Sequence, residues 1–285
     1  MSAERSPLDA DLTSQVALVT GAGRGIGRAI AVALAEAGAV VAVAARSEGQ
    51  LAETVAMIED QGGKGIALPT DVADEQAVRR MVDETIRQLG PIDLLVSNAG
   101  VSQAARAFWE TPPADWWRVV EVNLKGVVLC AHAVLPGMIA RRRGRIVNVG
   151  SYAGVRPEVP NTAYSVSKTG VLRFSEGLAL ETRPYGVSVF AISPGHVHTA
   201  MTDRQWQSVP ESERVESVAP TANPTTDWSP PELAARLVVY LASGQADGLS
   251  GRFIHARADD VLEMVQRVEE IEQNSLYTLR VRKLA

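Results

Sequence analysis

Tyr164 and Lys168 lie four residues apart in a segment with helical periodicity. Side chains at positions i and i+4 share one face of a helix, so the phenol and the ammonium group should be neighbours. A free phenol has a pKa of about 10 and exchanges protons poorly at neutral pH, and a nearby ammonium is expected to lower that pKa. The pair therefore predicts proton exchange with an alcohol or carbonyl oxygen.

Two further polar residues complete this set of candidates. Ser151 follows a predicted strand, Arg145–Val149, where its hydroxyl could hold a substrate oxygen beside Tyr164. Asn123 lies on the preceding predicted helix. The alternative is that Tyr164 and Lys168 form an ordinary, partly exposed helical pair.

A glycine-rich run predicts a second site. The segment Thr20-Gly21-Ala22-Gly23-Arg24-Gly25-Ile26-Gly27 follows a predicted strand and opens an Ala-rich helix. Glycines allow a tight turn and close approach of the backbone to a phosphate, and the helix N-terminus offers free N–H donors. We expect these residues to bind the phosphates of a dinucleotide: Gly21, Gly23, Arg24, Gly25, Ile26 and Gly27.

The end of the second predicted strand bears on which dinucleotide is bound. An NAD site usually carries a carboxylate there to hold the ribose 2′-OH. This chain instead has Arg46 and Ser47, and a planar guanidinium suits a 2′-phosphate. The sequence favours NADP(H) and leaves NAD(H) possible; solvent-exposed arginines without a ligand are the alternative.

Short β-branched runs alternate with longer amphipathic segments, which is typical of βαβ units around a parallel sheet. The predicted strands are Val16–Thr20, Val40–Ala45, Gly65–Pro69, Leu94–Ser97, Arg145–Val149, Val187–Ile192 and Arg252–His255. The predicted helices are Gly25–Ala37, Glu48–Gln61, Asp74–Leu89, Asp115–Arg141, Ala163–Arg183 and Pro230–Ala242. We expect a single α/β domain of the Rossmann type, with a doubly wound parallel seven-stranded sheet that binds its ligand at the carboxyl ends of the strands.

With these motifs in this order, the chain resembles the short-chain dehydrogenase/reductase family in its compact form, over about residues 14–255. The motifs are Thr20-Gly21-x-x-x-Gly25-x-Gly27, Asp71-Val72, Ser97-Asn98-Ala99-Gly100, Asn123, Ser151, Tyr164-x-x-x-Lys168 and Pro194-Gly195.

The resemblance implies roles for individual residues. It implies further cofactor contacts by Asp71, Val72, Asn98, Ala99, Gly100, Tyr164, Lys168, Pro194, Gly195, Val197 and Thr199. Asp71 would lie at the adenine, Asn98 beside the adenosine ribose, and Val197 with Thr199 at the carboxamide. Asn123 would hold a water next to Lys168 in a proton relay. Asp71 as a turn residue and Thr199 as a helix N-cap remain open alternatives.

The implied reaction is hydride transfer at a substrate carbon, with Tyr164 passing the proton and Lys168 also bonding the nicotinamide ribose. We expect an NADPH-dependent reductase of a small-molecule ketone, aldehyde or 3-oxoacyl thioester. An NAD-dependent alcohol dehydrogenase running in the oxidative direction is the first alternative. A non-catalytic nucleotide-binding sensor and isomerase or dehydratase relatives are the others.

The domain proper is expected to span residues 14–257, with one distinct segment inside it and one on each side of it. Residues 1–13 are expected to be flexible, and 194–229, rich in Pro, Ser and Thr, reads as a substrate loop or lid. Residues 258–285 form a helical extension, expected to pack over an active-site mouth or on a neighbouring subunit, or else to be a surface helix with a floppy tail.

Composition narrows the function classes. The chain has 285 residues, 46% hydrophobic and 21% charged, and a formal net charge of −5, which argues against a nucleic-acid partner. No targeting or membrane-spanning run is evident, and the lone Cys130 fits a reducing compartment, so a cytoplasmic location is expected. His196 and His198 lack a third ligand, so no metal is expected. The family resemblance implies a homo-oligomer, a dimer or a tetramer, formed through the helices that bear Asn123 and Tyr164.

Overall fold

A computed structural model describes residue 8, residues 10–208 and residues 227–281. Seven parallel strands form its centre: β1 (Val16–Thr20), β2 (Val40–Ala45), β3 (Lys64–Pro69), β4 (Leu94–Ser97), β5 (Gly144–Val149), β6 (Val187–Ser193) and β7 (Phe253–His255). They lie side by side in the order β3-β2-β1-β4-β5-β6-β7.

Helices cover both faces of this sheet, which is why the central strands are mostly apolar. They are α1 (Gly25–Glu36), α2 (Glu48–Asp60), α3 (Glu75–Leu89), α4 (Pro113–Val120), α5 (Gly126–Arg141), α6 (Thr162–Thr182), α7 (Ala200–Gln207), α8 (Pro231–Ser243), α9 (Val261–Gln266) and α10 (Val268–Gln273). One apolar core includes α1 and α8, and a second, on the other face, includes α3, α5 and α6.

The chain reverses its direction of travel across the sheet at β1. Leu18 of β1 pairs with Ala42 of β2 on one side and with Leu95 of β4 on the other. The loops that follow β1 and β4 therefore diverge and leave a crevice at the carboxyl ends of the strands. This architecture confirms the predicted doubly wound, seven-stranded fold.

The predicted helix Asp115–Arg141 is interrupted. A single π-helical turn, Glu121–Lys125, joins α4 to α5 and contains Asn123. Such turns occur frequently at functional sites, and they disturb the regular bonding of the helix around them. No proline or glycine marks this turn in the sequence before Gly126, so periodicity alone predicts one continuous helix.

The same helical stretch, Pro113–Arg141, is long and apolar enough by length and composition to cross a bilayer. Here it contributes Val119, Val122, Cys130 and Met138 to the buried interior beside the sheet. Core helices of this kind meet the same length and composition criteria.

Described residues near both ends of the chain pack against the core. Within the segment 1–13, Leu12 is 1% exposed and its N–H donates to the Ala37 carbonyl at 2.7 Å. In the C-terminal extension, Val261, Met264 and Ile271 are buried against the core that includes α8. Residues 1–7, 9, 209–226 and 282–285 lie outside the described residues, and with them half of the expected substrate loop.

Candidate active site

A cavity of about 690 Å³ opens at the carboxyl ends of the strands, where the fold places its crevice. All the residues expected to bind cofactor line it, together with Ser151. They are Gly21, Gly23, Arg24, Gly25, Ile26, Gly27, Arg46, Ser47, Asp71, Val72, Asn98, Ala99, Gly100, Tyr164, Lys168, Pro194, Gly195, Val197 and Thr199. Asn123 is not part of the lining.

The glycine-rich turn has the geometry of a phosphate cradle. Gly21 has φ +66°, in the left-handed region, and a Cβ there would lie 2.7 Å from the Ala99 Cα. Gly25, Ile26 and Gly27, the first residues of α1, line the cavity, so the N-terminus of the helix opens onto it. Backbone N–H groups and the helix dipole at this point favour an anion. These features fit a dinucleotide.

Polar side chains hold the turn from behind. The amide of Asn98 donates to the carbonyls of Thr20 at 3.0 Å and Gly21 at 3.1 Å. Arg28, which sequence reasoning missed, donates to the Gly23 carbonyl and to Thr54 Oγ1. The structure therefore gives the Asn98 side chain a bracing contact, where the resemblance implied a place beside the ribose.

The far end of the cavity carries cationic side chains. Arg24 and Arg46 are exposed, and in the described part of the chain neither forms an ion pair within 4.0 Å. Ser47 is the N-cap of α2, yet its hydroxyl makes no capping hydrogen bond. Among the described residues, no ion pair or capping bond therefore occupies these two guanidinium groups and this hydroxyl.

Asp71 is held by Arg118, a residue that the sequence analysis did not single out. Arg118 donates to Asp71 Oδ2 at 2.8 Å, while Asp71 Oδ1 accepts from the Ala73 N–H at 3.0 Å. Partial burial would raise the pKa of Asp71, but these two hydrogen bonds and the charges of Arg118 and Arg46 outweigh it and lower the pKa. Asp71 is both the turn residue of the open alternative and a charged group in the cavity.

Helix α6 places Tyr164 and Lys168 on its cavity-facing side. Lys168 is 4% exposed and donates from Nζ to the Val149 carbonyl at 2.7 Å. Its Nζ lies 5.6 Å from the centroid of the Tyr164 ring. Ser151 accepts from the Ala153 N–H at 3.2 Å and is hydrogen-bonded to Tyr164. Tyr164, Lys168 and Ser151 therefore meet at one point on the cavity wall.

The charge states of these groups differ from the expectation that Lys168 lowers the pKa of Tyr164. Burial raises the pKa of Tyr164 to about 12, the charge of Glu158 adds to the rise, and the Ser151 hydrogen bond opposes it. Burial also lowers the pKa of Lys168 to about 8. The expected lowering is wrong for the structure, because burial is the largest influence on the pKa of Tyr164 and it raises that pKa. Tyr164 is therefore protonated at neutral pH.

Asn123 lies behind the cavity, with a fully buried side chain. Its Nδ2 donates to the Val101 carbonyl at 2.9 Å and to Ser167 Oγ at 3.1 Å, and its Oδ1 accepts from the Val101 N–H at 2.8 Å. A Cβ on Gly100 would lie 3.4 Å from Asn123 Oδ1 and 3.9 Å from Lys168 Nζ. The amide thus fixes the loop after β4 next to Lys168.

The loop after β6 closes the opposite wall. Thr199 is the N-cap of α7 and accepts from Met201 N–H at 3.3 Å, as the N-cap alternative proposed. His198 Nε2 contacts Asp203 Oδ1 at 2.9 Å.

Glu158, another residue that the sequence analysis missed, also lines the cavity near Tyr164.

The C-terminal extension lies elsewhere. The Tyr277 carbonyl accepts from the Phe253 N–H at 2.9 Å, and Arg280 contacts Glu176 of α6 at 2.7 Å. Tyr277 also borders a second cavity of about 310 Å³. Within 258–281, no residue lines the first cavity, so this part of the extension covers the outer edge of β7 rather than the mouth of the site.

No group of three His, Cys, Asp or Glu side chains suited to a metal occurs among the described residues.

Comparisons with known proteins agree with this geometry. Residues 15–210 match the family model described as short chain dehydrogenase. The chain is 35% identical to the 3-oxoacyl-(acyl-carrier-protein) reductase of Vibrio harveyi over 246 residues, covering 86% of this chain and 96% of that protein. It is 38% identical to the acetoacetyl-CoA reductase of Paracoccus denitrificans over 238 residues, covering 84% and 94%.

The likeness extends to solved structures. An NAD⁺-bound xylitol dehydrogenase matches with a TM-score of 0.78 and 30% sequence identity, covering 85% of this chain and 97% of that one. This likeness of fold, and the glycine-rich turn that lines the cavity of this chain, agree with the sequence matches. The chain therefore belongs to the short-chain dehydrogenase/reductase family and is an NAD(P)-dependent oxidoreductase that acts on CH–OH or keto groups.

Proposed function

We propose that this chain is an NADPH-dependent reductase that converts a ketone, an aldehyde or a 3-oxoacyl thioester to an alcohol. The observation that carries the proposal is the pair of exposed arginines, Arg24 and Arg46, on the cavity wall. Neither has a carboxylate partner within 4.0 Å among the described residues, and the tip of β2 offers a hydroxyl, Ser47, instead of an acid. A 2′-phosphate would satisfy all three groups.

The remainder of the cofactor fits the rest of the lining. The turn from Gly21 to Gly27 would hold the pyrophosphate, Asp71 and Val72 the adenine, and Val197 with Thr199 the carboxamide. When bound, the reduced nicotinamide supplies the hydride.

The protein supplies the proton. With its pKa at about 12, Tyr164 is protonated at neutral pH and donates to the substrate oxygen as negative charge develops there. The Ser151 hydroxyl stabilises the phenolate through its hydrogen bond. Lys168, with a pKa of about 8, is largely charged at pH 7 and adds a cation 5.6 Å from the ring. Asn123 keeps this wall in place through Val101 and Ser167.

The relatives agree with a reductive role, since two of them are named as a 3-oxoacyl-(acyl-carrier-protein) reductase and an acetoacetyl-CoA reductase. The solved xylitol dehydrogenase, which is NAD⁺-bound, supports the second candidate, an NAD-dependent alcohol dehydrogenase. A non-catalytic sensor is the least suitable of the three, because binding a nucleotide does not call for a buried lysine beside a phenol.

The residues after β6 are proposed to select the substrate. Residues 194–205 line the cavity opposite Ser151, and the remainder of the segment 194–229 continues from them. We also propose a homo-oligomer in the cytoplasm. The helices expected to form the interface carry exposed apolar residues: Val128 of α5, and Val166 and Leu180 of α6. Light scattering would measure the mass of the oligomer.

The cofactor proposal is tested by titrating the protein with NADPH and NADH, following reduced-nicotinamide fluorescence. Because a charge-assisted hydrogen bond contributes about 1.5–3 kcal/mol, Arg46→Ala should weaken NADPH binding by roughly 10–100-fold. NADH binding should change little. Arg79→Ala is the matched control, since Arg79 forms an exposed pair with Glu75 on α3, away from the cavity. Equal affinity for both cofactors in the unaltered protein would favour the NAD-dependent dehydrogenase.

A further inference from the structure

We propose that Arg118 is a positioning residue for the adenine end of the cofactor. It fixes the Asp71 carboxylate where this can accept the adenine amino group, and it neutralises that carboxylate beside the 2′-phosphate. The inference rests on the proposed function, because it takes the cavity to be an NADP(H) site.

Two hydrogen bonds hold the Asp71 carboxylate, one to each oxygen. Arg118 Nη2 donates to Asp71 Oδ2 at 2.8 Å, and the Ala73 N–H donates to Oδ1 at 3.0 Å. Each carboxylate oxygen keeps one acceptor position for a ligand. Asp71 and Arg118 both line the cavity, whereas Ala73 does not. The carboxylate is thus held from two sides, with its remaining acceptor capacity in the cavity wall.

The second role of Arg118 is to neutralise the Asp71 carboxylate. Partial burial opposes ionisation of Asp71, but the Ala73 and Arg118 hydrogen bonds and two cations hold its pKa below the ordinary value, so the group is anionic at neutral pH. Arg46 is one of those two cations. Without Arg118, the carboxylate would compete with a 2′-phosphate for Arg46 and repel the phosphate directly. With Arg118 in place, Arg46 keeps its charge for the ligand.

A purely structural role would look different. Arg118 lies in the last turn of α4, where a cation is favourable for the helix dipole, and its Nη1 is 3.7 Å from Glu121 Oε2, three residues on. A residue that only stabilised this helix would affect unfolding and would leave the discrimination between cofactors unchanged.

Calorimetric titration with three ligands separates these roles. The ligands are NADP⁺, NAD⁺ and the deamino analogue of NADP⁺, in which hypoxanthine replaces adenine. The unaltered protein should prefer NADP⁺ to the deamino analogue by about tenfold, because the analogue lacks the amino donor and places a carbonyl oxygen at that position. In Arg118→Met this preference should fall to about twofold, and NADP⁺ should lose more affinity than NAD⁺.

Two further variants sharpen the test. In an Asp71→Asn background the Arg118→Met change should cost NADP⁺ affinity much less, because no carboxylate remains to be placed or neutralised. Glu121→Gln is the matched control. It removes the charge of the other carboxylate that contacts Arg118, in the π-helical turn after α4, and should leave all three dissociation constants within about twofold. If Arg118→Met does not fold, Arg118→Lys should keep the NADP⁺ preference over NAD⁺ and lose part of the preference over the deamino analogue.

The outcomes are distinguishable. An Arg118→Met protein that keeps the full preference for NADP⁺ over the deamino analogue overturns the inference and leaves the proposed function intact. Additive effects of Asp71→Asn and Arg118→Met also overturn it. If the unaltered protein binds none of the three dinucleotides, the proposed function fails, and the inference fails with it.

Discussion

Replacing Asn123 with alanine should lower the stability of the protein and also slow its turnover, because the Asn123 amide holds the wall behind the site in place. Asn123 makes three hydrogen bonds, two of them to the backbone N–H and carbonyl of Val101, and its side chain is fully buried. In Asn123→Ala both part-buried Val101 groups lose their partner, and the buried Ser167 hydroxyl loses its donor.

The size of the effect follows from these lost bonds. Leaving a buried donor or acceptor unpaired costs about 1–3 kcal/mol for each group, and a water entering the space offsets part of it, so we expect a loss of about 2–4 kcal/mol. For a chain of this size each kcal/mol lowers Tm by roughly 2–4 °C, so the melting temperature should fall by roughly 4–15 °C.

Thermal unfolding followed by circular dichroism measures this change, with NADPH consumption measured below the transition. Tyr164→Phe is the control: it removes the proposed proton donor and leaves Val101 bonded, so it should abolish turnover with a Tm within about 2 °C of the unaltered protein. If Asn123→Ala abolishes turnover while its Tm stays unchanged, the bracing role assigned to Asn123 is refuted.

Three other predictions follow from the site and its surroundings. Glu158→Gln removes a negative charge that raises the pKa of Tyr164, so the alkaline limb of the pH profile of kcat/KM should move to lower pH; an unmoved limb would show that Glu158 does not act on Tyr164. Gly21→Ala places a side chain at φ +66° and 2.7 Å from a neighbouring backbone atom, and should weaken NADPH binding more than about tenfold. Gly177→Ala, in an open position of α6, should instead leave binding unchanged and stabilise the fold by about 0.5–1 kcal/mol. Burial raises the pKa of Cys130 to about 12, so its thiol should resist a thiol reagent at pH 8 until the protein is denatured, and rapid labelling of the native protein would contradict that burial.

The fold was accessible from the sequence because its signals are local. Strand β2 is apolar along its whole length, β1 and β4 are apolar up to their last residues, Thr20 and Ser97, and the structure gives all three the predicted bounds. The glycine-rich run also carries its own geometry, since few residues other than glycine adopt the φ of Gly21.

Other parts of the site depend on how distant segments meet, and no local pattern carries that information. Arg118 of α4 reaches Asp71, two residues after the end of β3, across 47 positions of sequence. Likewise, the spacing of Tyr164 and Lys168 predicts that they are neighbours, yet the pKa of the phenol is set by burial in the assembled cavity. The π-helical turn around Asn123, Glu121–Lys125, contains no proline or glycine, so periodicity predicts a continuous helix.

The central claim is that Tyr164 donates the proton in an NADPH-dependent reduction. It is tested most directly by following NADPH oxidation at 340 nm with a small panel of ketones, aldehydes and acetoacetyl-CoA, for the unaltered protein and for Tyr164→Phe, with the Kd for NADPH measured for both. If Tyr164 donates the proton, the unaltered protein should turn over at least one carbonyl substrate. Tyr164→Phe should lower this turnover by a factor of about 100 or more and change the Kd for NADPH by less than about threefold. Turnover that survives in Tyr164→Phe at equal Kd would contradict it.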